Sequence, residues 1–241
     1  MEIKEAIILA AGKGSRLYPI TKNITKCMVK VKDITIIDNT LDKLLSSGVE
    51  KVTIIVGYLQ NILKNHVGNN YKGMEVKYII NEEFEESNSI YSLYLGLKNQ
   101  KNSTWVLESD IFIGNNILDR DGNNNEITWY VDSSIHDIEG SYVCFNENNQ
   151  IIKHEIIRDL NVITTKHAKS MGILCIHKDA VKTVENWLEE EMKLQGKNIY
   201  YDLALGKHLN EDRLYVKDNK LKKWWEIDDL EDLNKAKELF K

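Results

Sequence analysis

Along the first hundred residues, short apolar runs alternate with amphipathic stretches. The runs IKEAIIL (3–9), KVTIIV (51–56), EVKYII (75–80) and TWVLES (104–109) are rich in Val, Ile and Leu, and they predict strands covered on both faces by helices. Between them, IIDNTLDKLLSSG places Ile37, Leu41, Leu44 and Leu45 on one face at the 3.6-residue period, with Gly48 as a stop. SNSIYSLYLGLKN does the same with Ile90, Leu93, Tyr94 and Leu97. This alternation predicts βαβ units on a mainly parallel sheet. After about residue 115 the pattern changes. DRDGNNNE predicts a polar turn, and ITWYV, SYVCF and QIIKHEII predict shorter antiparallel strands joined by loops. SMGILCI (170–176) returns to a buried-strand pattern, a helix follows with Val181, Val184, Trp187 and Leu188 on one face, and a last helix is predicted from about Leu230 to Phe240.

Composition narrows the classes of function. The chain has 241 residues, 42% hydrophobic and 29% charged, with a net charge of −5. It reads as one globular domain over 1–241 with no basic face for nucleic acid. The N-terminal apolar run is short and preceded by an acidic residue, so neither a signal peptide nor a membrane span is predicted, and the expected location is cytoplasmic. Cys27, Cys144 and Cys175 are odd in number and form no CxxC pair, which predicts reduced thiols. The six histidines show no HxH or HExxH spacing, and no histidine is assigned a chemical role.

The stretch LAAGKGSRLYPITKNITK (9–26) carries the candidate chemistry. A glycine-rich turn directly after the first strand puts backbone N–H groups at the carboxyl edge of the sheet, where open α/β folds bind ligands. The dinucleotide fingerprint GxGxxG fails because Leu17 stands where its third glycine belongs, and the Walker A loop fails because Ile7 stands where its first glycine belongs. What remains is a polyphosphate clamp: Gly12 and Gly14 allow close backbone approach, and Arg16 and Lys26 flank a bend stiffened by Pro19. This loop resembles the GxGxRxxPxT(x)nPK signature of the nucleoside-triphosphate transferases that make NDP-sugars and CDP-alcohols. One departure is that Thr25, not proline, precedes Lys26.

Within that family the chain is similar, over nearly its whole length, to the small bacterial CTP:phosphocholine and 2-aminoethylphosphonate cytidylyltransferases. The carriers are the loop, VGY (56–58), NEEFEESNSIYSLYLG from Asn81, LESD (107–110), YYD (200–202) and EIDD (226–229). The resemblance implies a Rossmann-like, mainly parallel mixed sheet flanked by helices. About residues 1–115 would form the nucleotide-binding half, and about 116–241 a small antiparallel acceptor-binding subdomain with closing helices. It implies nucleotide contacts from Leu9, Ala10, Ala11, Gly12 and Gly14, from Arg16 and Lys26 on the phosphates, and from Asn81, Asn88 and Ser89 on the base and ribose. Asn88 or Ser89 could instead cap the helix that begins there. Lys26 is implied as the stabiliser of the α-phosphoryl charge, and Asp110 with Asp228 as Mg²⁺ ligands, hard carboxylate oxygens suiting that ion. Glu108 stands where the family commonly shows a second aspartate. Asp229, or else Asp228, is a candidate N-cap of the last helix.

For the acceptor, YYD points to Tyr201 and Asp202 and EIDD to Glu226, with Tyr200, Trp129 and Tyr130 as further candidate walls. A quaternary ammonium is best held by aromatic faces plus a carboxylate, and a primary ammonium by several hydrogen-bond acceptors. The expected reaction is CTP plus a small phosphorylated amino-alcohol, first phosphocholine, giving a CDP-alcohol and pyrophosphate. The alternatives are 2-aminoethylphosphonate as acceptor, a sugar-1-phosphate transferase, and a nucleotide-binding module without catalysis. A homo-oligomer is compatible with the sequence.

Overall fold

A computed structural model of the protein describes residues 2–114, 117–118, 126–211 and 213–241. Most of the polar turn expected at 119–126 lies outside the described residues.

The chain begins with β1 (Glu5–Ala10) and the glycine loop, followed by a hairpin of β2 (Lys30–Val31) and β3 (Ile34–Thr35) and by α1 (Ile36–Ser46). It continues through β4 (Lys51–Val56), α2 (Gln60–Val67), β5 (Asn70–Tyr71), β6 (Met74–Ile80), α3 (Ser89–Leu97), β7 (Thr104–Glu108) and β8 (Ile111–Ile113). The second half contains β9 (Ile127–Asp132), β10 (Gly140–Phe145), β11 (Ile151–Ile157), β12 (Ala168–Ile176), α4 (Lys178–Gln195) and α5 (Tyr201–Leu205). It closes with β13 (Leu214–Asp218), β14 (Trp224–Glu226) and α6 (Leu230–Leu239).

The central strands β7, β1, β4 and β6 are parallel neighbours in that order, as the alternating pattern predicts. β1 is covered on both sides. Ala6, Ile8 and Ala10 join the layer under α1 and α2, while Ile7 and Leu9 join the layer under α3, α4 and α5. This two-sided burial explains the unbroken apolar run. β9, β10, β11 and β12 pair antiparallel, and β12 also pairs antiparallel with β7, so they continue the central sheet. Two small antiparallel sheets, β2 with β3 and β14 with β8, lie outside it. The parallel pairing of β13 with β9, and the helices α2 and α5, were not anticipated from the sequence.

Two details position the site. β14 pairs with β8 so that Glu226 lies opposite Ile111, and the Ile227 N–H donates to the Asp110 carbonyl at 2.9 Å. The two acidic segments LESD and EIDD are thereby stitched together. A third apolar cluster, containing Leu17, Val29, Ile36, Ile227 and Leu233, packs the glycine loop against the start of α6. Asp229 is the N-cap of that helix. Its carboxylate accepts from the Glu231 and Asp232 N–H groups, and the Asp232 side chain accepts in return from the Asp229 N–H. Asp228, the other candidate cap, is left to face the cavity.

Candidate active site

A cavity of about 800 Å³ opens at the carboxyl edge of the parallel strands. Its floor is the loop after β1, whose shape follows from three residues of the motif. Gly14 has φ +60, and a Cβ there would sit 2.7 Å from the Lys26 Cβ, so both the conformation and the close approach require glycine. The buried Thr21 hydroxyl donates to the Gly14 carbonyl at 2.7 Å and closes the turn. A cis peptide joins Tyr18 to Pro19 in the bend.

This folding brings Lys26 to the acidic segments. Its Nζ donates to Asp110 Oδ2 at 2.7 Å and to Asp228 Oδ1 at 2.6 Å, while Arg16 reaches the same Asp228 oxygen at 2.8 Å. Burial opposes the charge on Lys26, but the two aspartates outweigh it and raise its pKa, so the ammonium stays protonated. Burial likewise pushes Asp228 up, and Lys26 and Arg16 more than reverse this, holding it below the usual carboxylate range. An ammonium has three donors, and two are engaged here. The third is taken by neither aspartate.

A second acidic grouping lies beside this bridge. Carboxylate oxygens of Glu108, Asp110 and Glu226 lie within 4.8 Å of one another. Enclosure raises the pKa of Glu108 well above its ordinary value, and the neighbouring Asp110 and Glu226 add to the rise. Glu226 is raised mainly by its burial, against the pull of Lys169. Asp110 Oδ1 is buried without a hydrogen-bond partner. Clustered hard oxygens, one of them buried and unpaired, form a donor set that suits a divalent cation.

Most of the residues assigned from the sequence come together. Leu9, Ala11, Gly12, Gly14, Arg16, Lys26, Asn81, Asn88, Ser89, Asp110, Asp202, Glu226 and Asp228 line the cavity. Ala10 instead faces the apolar layer under α1 and α2, because side chains alternate along β1. Asn88 is the N-cap of α3, its side chain accepting from the Ser89 N–H, and the Ser89 hydroxyl accepts from the Tyr201 N–H. Asn81 is buried and donates to the hydroxyls of Ser87 and Ser92.

Among the candidate aromatic walls, Trp129, Tyr130 and Tyr201 are core residues, each 0–1% exposed. Tyr201 stands behind the site, beside Glu108. Tyr200, the first residue of YYD, is the one that lines the cavity.

Two of the residues that the sequence reading missed stand out. Lys169 is buried in β12, with its Nζ 2.8 Å from Glu226 Oε2 and 6.0 Å from the centre of the Tyr142 ring. A lysine inside an otherwise small and apolar strand, AKSMGILCI, is the signal that could have found it. The other is His154, whose Nε2 lies 2.9 Å from the Ser141 Oγ. No motif marks it.

Comparison with known proteins shows what the chain resembles. The family described as nucleotidyl transferase matches residues 5–130. The choline-phosphate cytidylyltransferase of Streptococcus pneumoniae is 25% identical over 242 residues, covering 98% of both chains. The 2-aminoethylphosphonate cytidylyltransferase of Lancefieldella rimae is 31% identical over 113 residues, covering 46% of this chain and 45% of that protein. A solved structure of the CTP:phosphocholine cytidylyltransferase from Streptococcus pneumoniae superposes with a TM-score of 0.81 at 23% identity, over the full length of both chains. No helix among the described residues is long and apolar enough to cross a membrane.

Proposed function

Because the chain belongs to the nucleotidyl transferase family, we propose that it transfers CMP from CTP to the phosphate or phosphonate of a small amino-alcohol, with release of pyrophosphate. The observation that carries this reading is the Lys26 ammonium bridging Asp110 and Asp228 at the foot of the glycine loop. A nucleotidyl transfer needs a fixed cation where charge develops on the α-phosphorus, and this bridge holds one in place before substrate arrives.

In the reaction an oxygen of the acceptor phosphate attacks the α-phosphorus of CTP in line, a new P–O bond forms, and the bond to the β-phosphate oxygen breaks. The free donor of Lys26 meets the α-phosphoryl oxygen, and Arg16 with the loop amides meets the leaving pyrophosphate. The acceptor is already anionic at neutral pH, so no general base is assigned. Asp110 and Asp228, with the carboxylates of Glu108 and Glu226 clustered beside Asp110, would hold Mg²⁺, which would supply neutralising charge to the triphosphate. Asn81, Asn88 and Ser89 line the side of the cavity proposed for the base and ribose.

Phosphocholine is the first acceptor, since the full-length relative from Streptococcus pneumoniae is named for choline phosphate. A second reading, a primary ammonium as in 2-aminoethylphosphonate, is favoured by the lining. Among the described residues around the cavity the aromatic side chains are Phe84 and Tyr200, whereas carboxylates are numerous. In either case Asp202 is the counter-charge proposed for the ammonium.

The test is pyrophosphate release with Mg²⁺, crossing CTP, UTP, dTTP and ATP with phosphocholine, phosphoethanolamine, 2-aminoethylphosphonate and glucose-1-phosphate. Turnover with CTP and an amino-alcohol phosphate or phosphonate is the expected result. Turnover confined to the sugar phosphate would overturn the acceptor reading, and none with any pair would overturn the function.

A further inference from the structure

Ser141 on β10 and Asp202 on α5 line the same part of the cavity, yet they come from elements that no motif links. A buried histidine joins them. His154 on β11 has a side chain only 3% exposed, and its Nε2 lies 2.9 Å from Ser141 Oγ and 3.5 Å from Asp202 Oδ2. The ring is itself fixed. It packs against Trp129 with centroids 5.3 Å apart, and the Gly206 backbone approaches so closely that a Cβ there would lie 2.7 Å from Nδ1. The second oxygen of Asp202 accepts the Leu203 N–H at 2.8 Å. The carboxylate is thus fixed at one oxygen by the start of α5, and the imidazole that bonds Ser141 lies 3.5 Å from its other oxygen.

The neighbouring carboxylate is differently placed. Glu226 is engaged by the internal ammonium of Lys169 at 2.8 Å, so its charge is already answered from within the chain. Asp202 has no lysine or arginine among its ion-pair partners within the described residues. A buried carboxylate without a full counter-ion is costly unless it is hydrogen-bonded, and it attracts an external cation strongly.

We propose that His154 is a positioning residue for acceptor recognition, holding the Asp202 carboxylate and the Ser141 hydroxyl in the orientation that receives the ammonium of the acceptor. This rests on the reading of Asp202 as the acceptor's counter-charge. An oxygen that must meet a small cation loses affinity when its rotamer is free, and fixing that rotamer is what a supporting hydrogen bond does.

The test is steady-state kinetics on the whole protein with CTP and whichever amino-alcohol phosphate or phosphonate the wild type turns over. His154→Leu is expected to raise the acceptor KM about tenfold, the loss of the Ser141 hydrogen bond together with the polar contact to Asp202. The CTP KM and kcat at saturating acceptor should stay within about twofold, well under the change of about tenfold expected for the acceptor. His154→Gln, which restores a donor, should recover most of the acceptor KM. In an Asp202→Asn background, His154→Leu should have no further effect, because both changes break one linkage.

Equal rises in both KM values, additive effects in the double variant, or no effect of His154→Leu would each overturn the proposal while leaving CMP transfer in place. If the leucine variant does not fold, His154→Ala compared with wild type in the two Asp202 backgrounds decides it by the same criterion. A wild type inactive with every amino-alcohol acceptor would overturn the reading itself, and the proposal with it.

Discussion

The glycine loop and the wall proposed for the acceptor line one cavity, but they are built in opposite ways. The loop is local. Gly14, Thr21 and Lys26 are neighbours in sequence, and each contact among them closes within one turn of chain: the Thr21 hydroxyl on the Gly14 carbonyl and the Lys26 stem against the Gly14 α-carbon. The acceptor wall is assembled. Ser141, His154, Lys169, Asp202 and Glu226 come from β10, β11, β12, α5 and β14 and meet only because those elements pack together. A local site can be written as a spacing rule, whereas an assembled one depends on strand order and register. That difference fits a scaffold that keeps one phosphate chemistry while its acceptor varies.

Five experiments would break or sharpen this contrast. The largest effect is expected from Asp110→Asn, where the two halves meet. Turnover should fall by about 10³-fold or more with the melting temperature nearly unchanged, as for loss of a metal and lysine ligand. Pyrophosphate release alongside thermal unfolding would measure this, and an active variant would remove Asp110 from the mechanism. Lys169→Met tests the assembled side. It strands Glu226 among other carboxylates and should cost about 3 kcal/mol of stability. Lys169→Met combined with Glu226→Gln should recover part of that in denaturant unfolding, and strict additivity would show that the pair does not interact.

Gly14→Ala tests the local side. The new Cβ has no room beside Lys26, and a displacement near 1 Å of the phosphate clamp should lower kcat/KM for CTP by about 10²-fold. Acceptor KM should change much less, so a matching loss there would dissolve the distinction between the two regions. Asp229→Ala removes the cap of α6 at a cost of about 1 kcal/mol. Calorimetry would register it, and a large loss of turnover would show that the cap also sets Asp228.

The smallest effect concerns pH. The folded pKa of Glu108 is raised, by its enclosure first and then by Asp110 and Glu226. Stability tied to it is therefore fully present below the ordinary glutamate range and is lost as pH rises through the raised value. In EDTA, Glu108→Gln should melt a few degrees higher than wild type at pH 8 and no higher at pH 4. Excess Mg²⁺ should narrow the gap. A gap that does not grow with pH would mean that Glu108 is not held in this way.

Much of the scaffold was legible in advance because burial on two faces leaves an unbroken apolar run. KVTIIV was read as a strand over 51–56 and is one over those residues, and the cap role of Asp229 follows from its place before an amphipathic stretch. The elements that escaped notice are short or depend on context. β8 and β14 have three residues each, too few to show a period, yet their pairing carries Asp110 to Asp228. Tyr201 and Tyr200 are adjacent in YYD, and which of them faces the cavity is set by the packing of α5, which buries Tyr201 behind Glu108. Trp129 and Tyr130 were plausible walls by composition. Both are buried because β9 lies inside the sheet, between β12 and β13, with side chains on both of its faces covered.

The sequence by itself determined the phosphate loop, the parallel core and the kind of charge at LESD and EIDD. These follow from spacing, hydrophobic period and residue chemistry, all of which are local quantities. Only the tertiary structure decided which carboxylates share a cation, which aromatic ring is wet, and that Lys169 meets Glu226 and His154 meets Ser141. Hydrogen bonds and ion pairs act over about 3 Å. Residues distant in the chain come within that range only when a particular strand order and register exist, and no single segment of the sequence encodes that register alone.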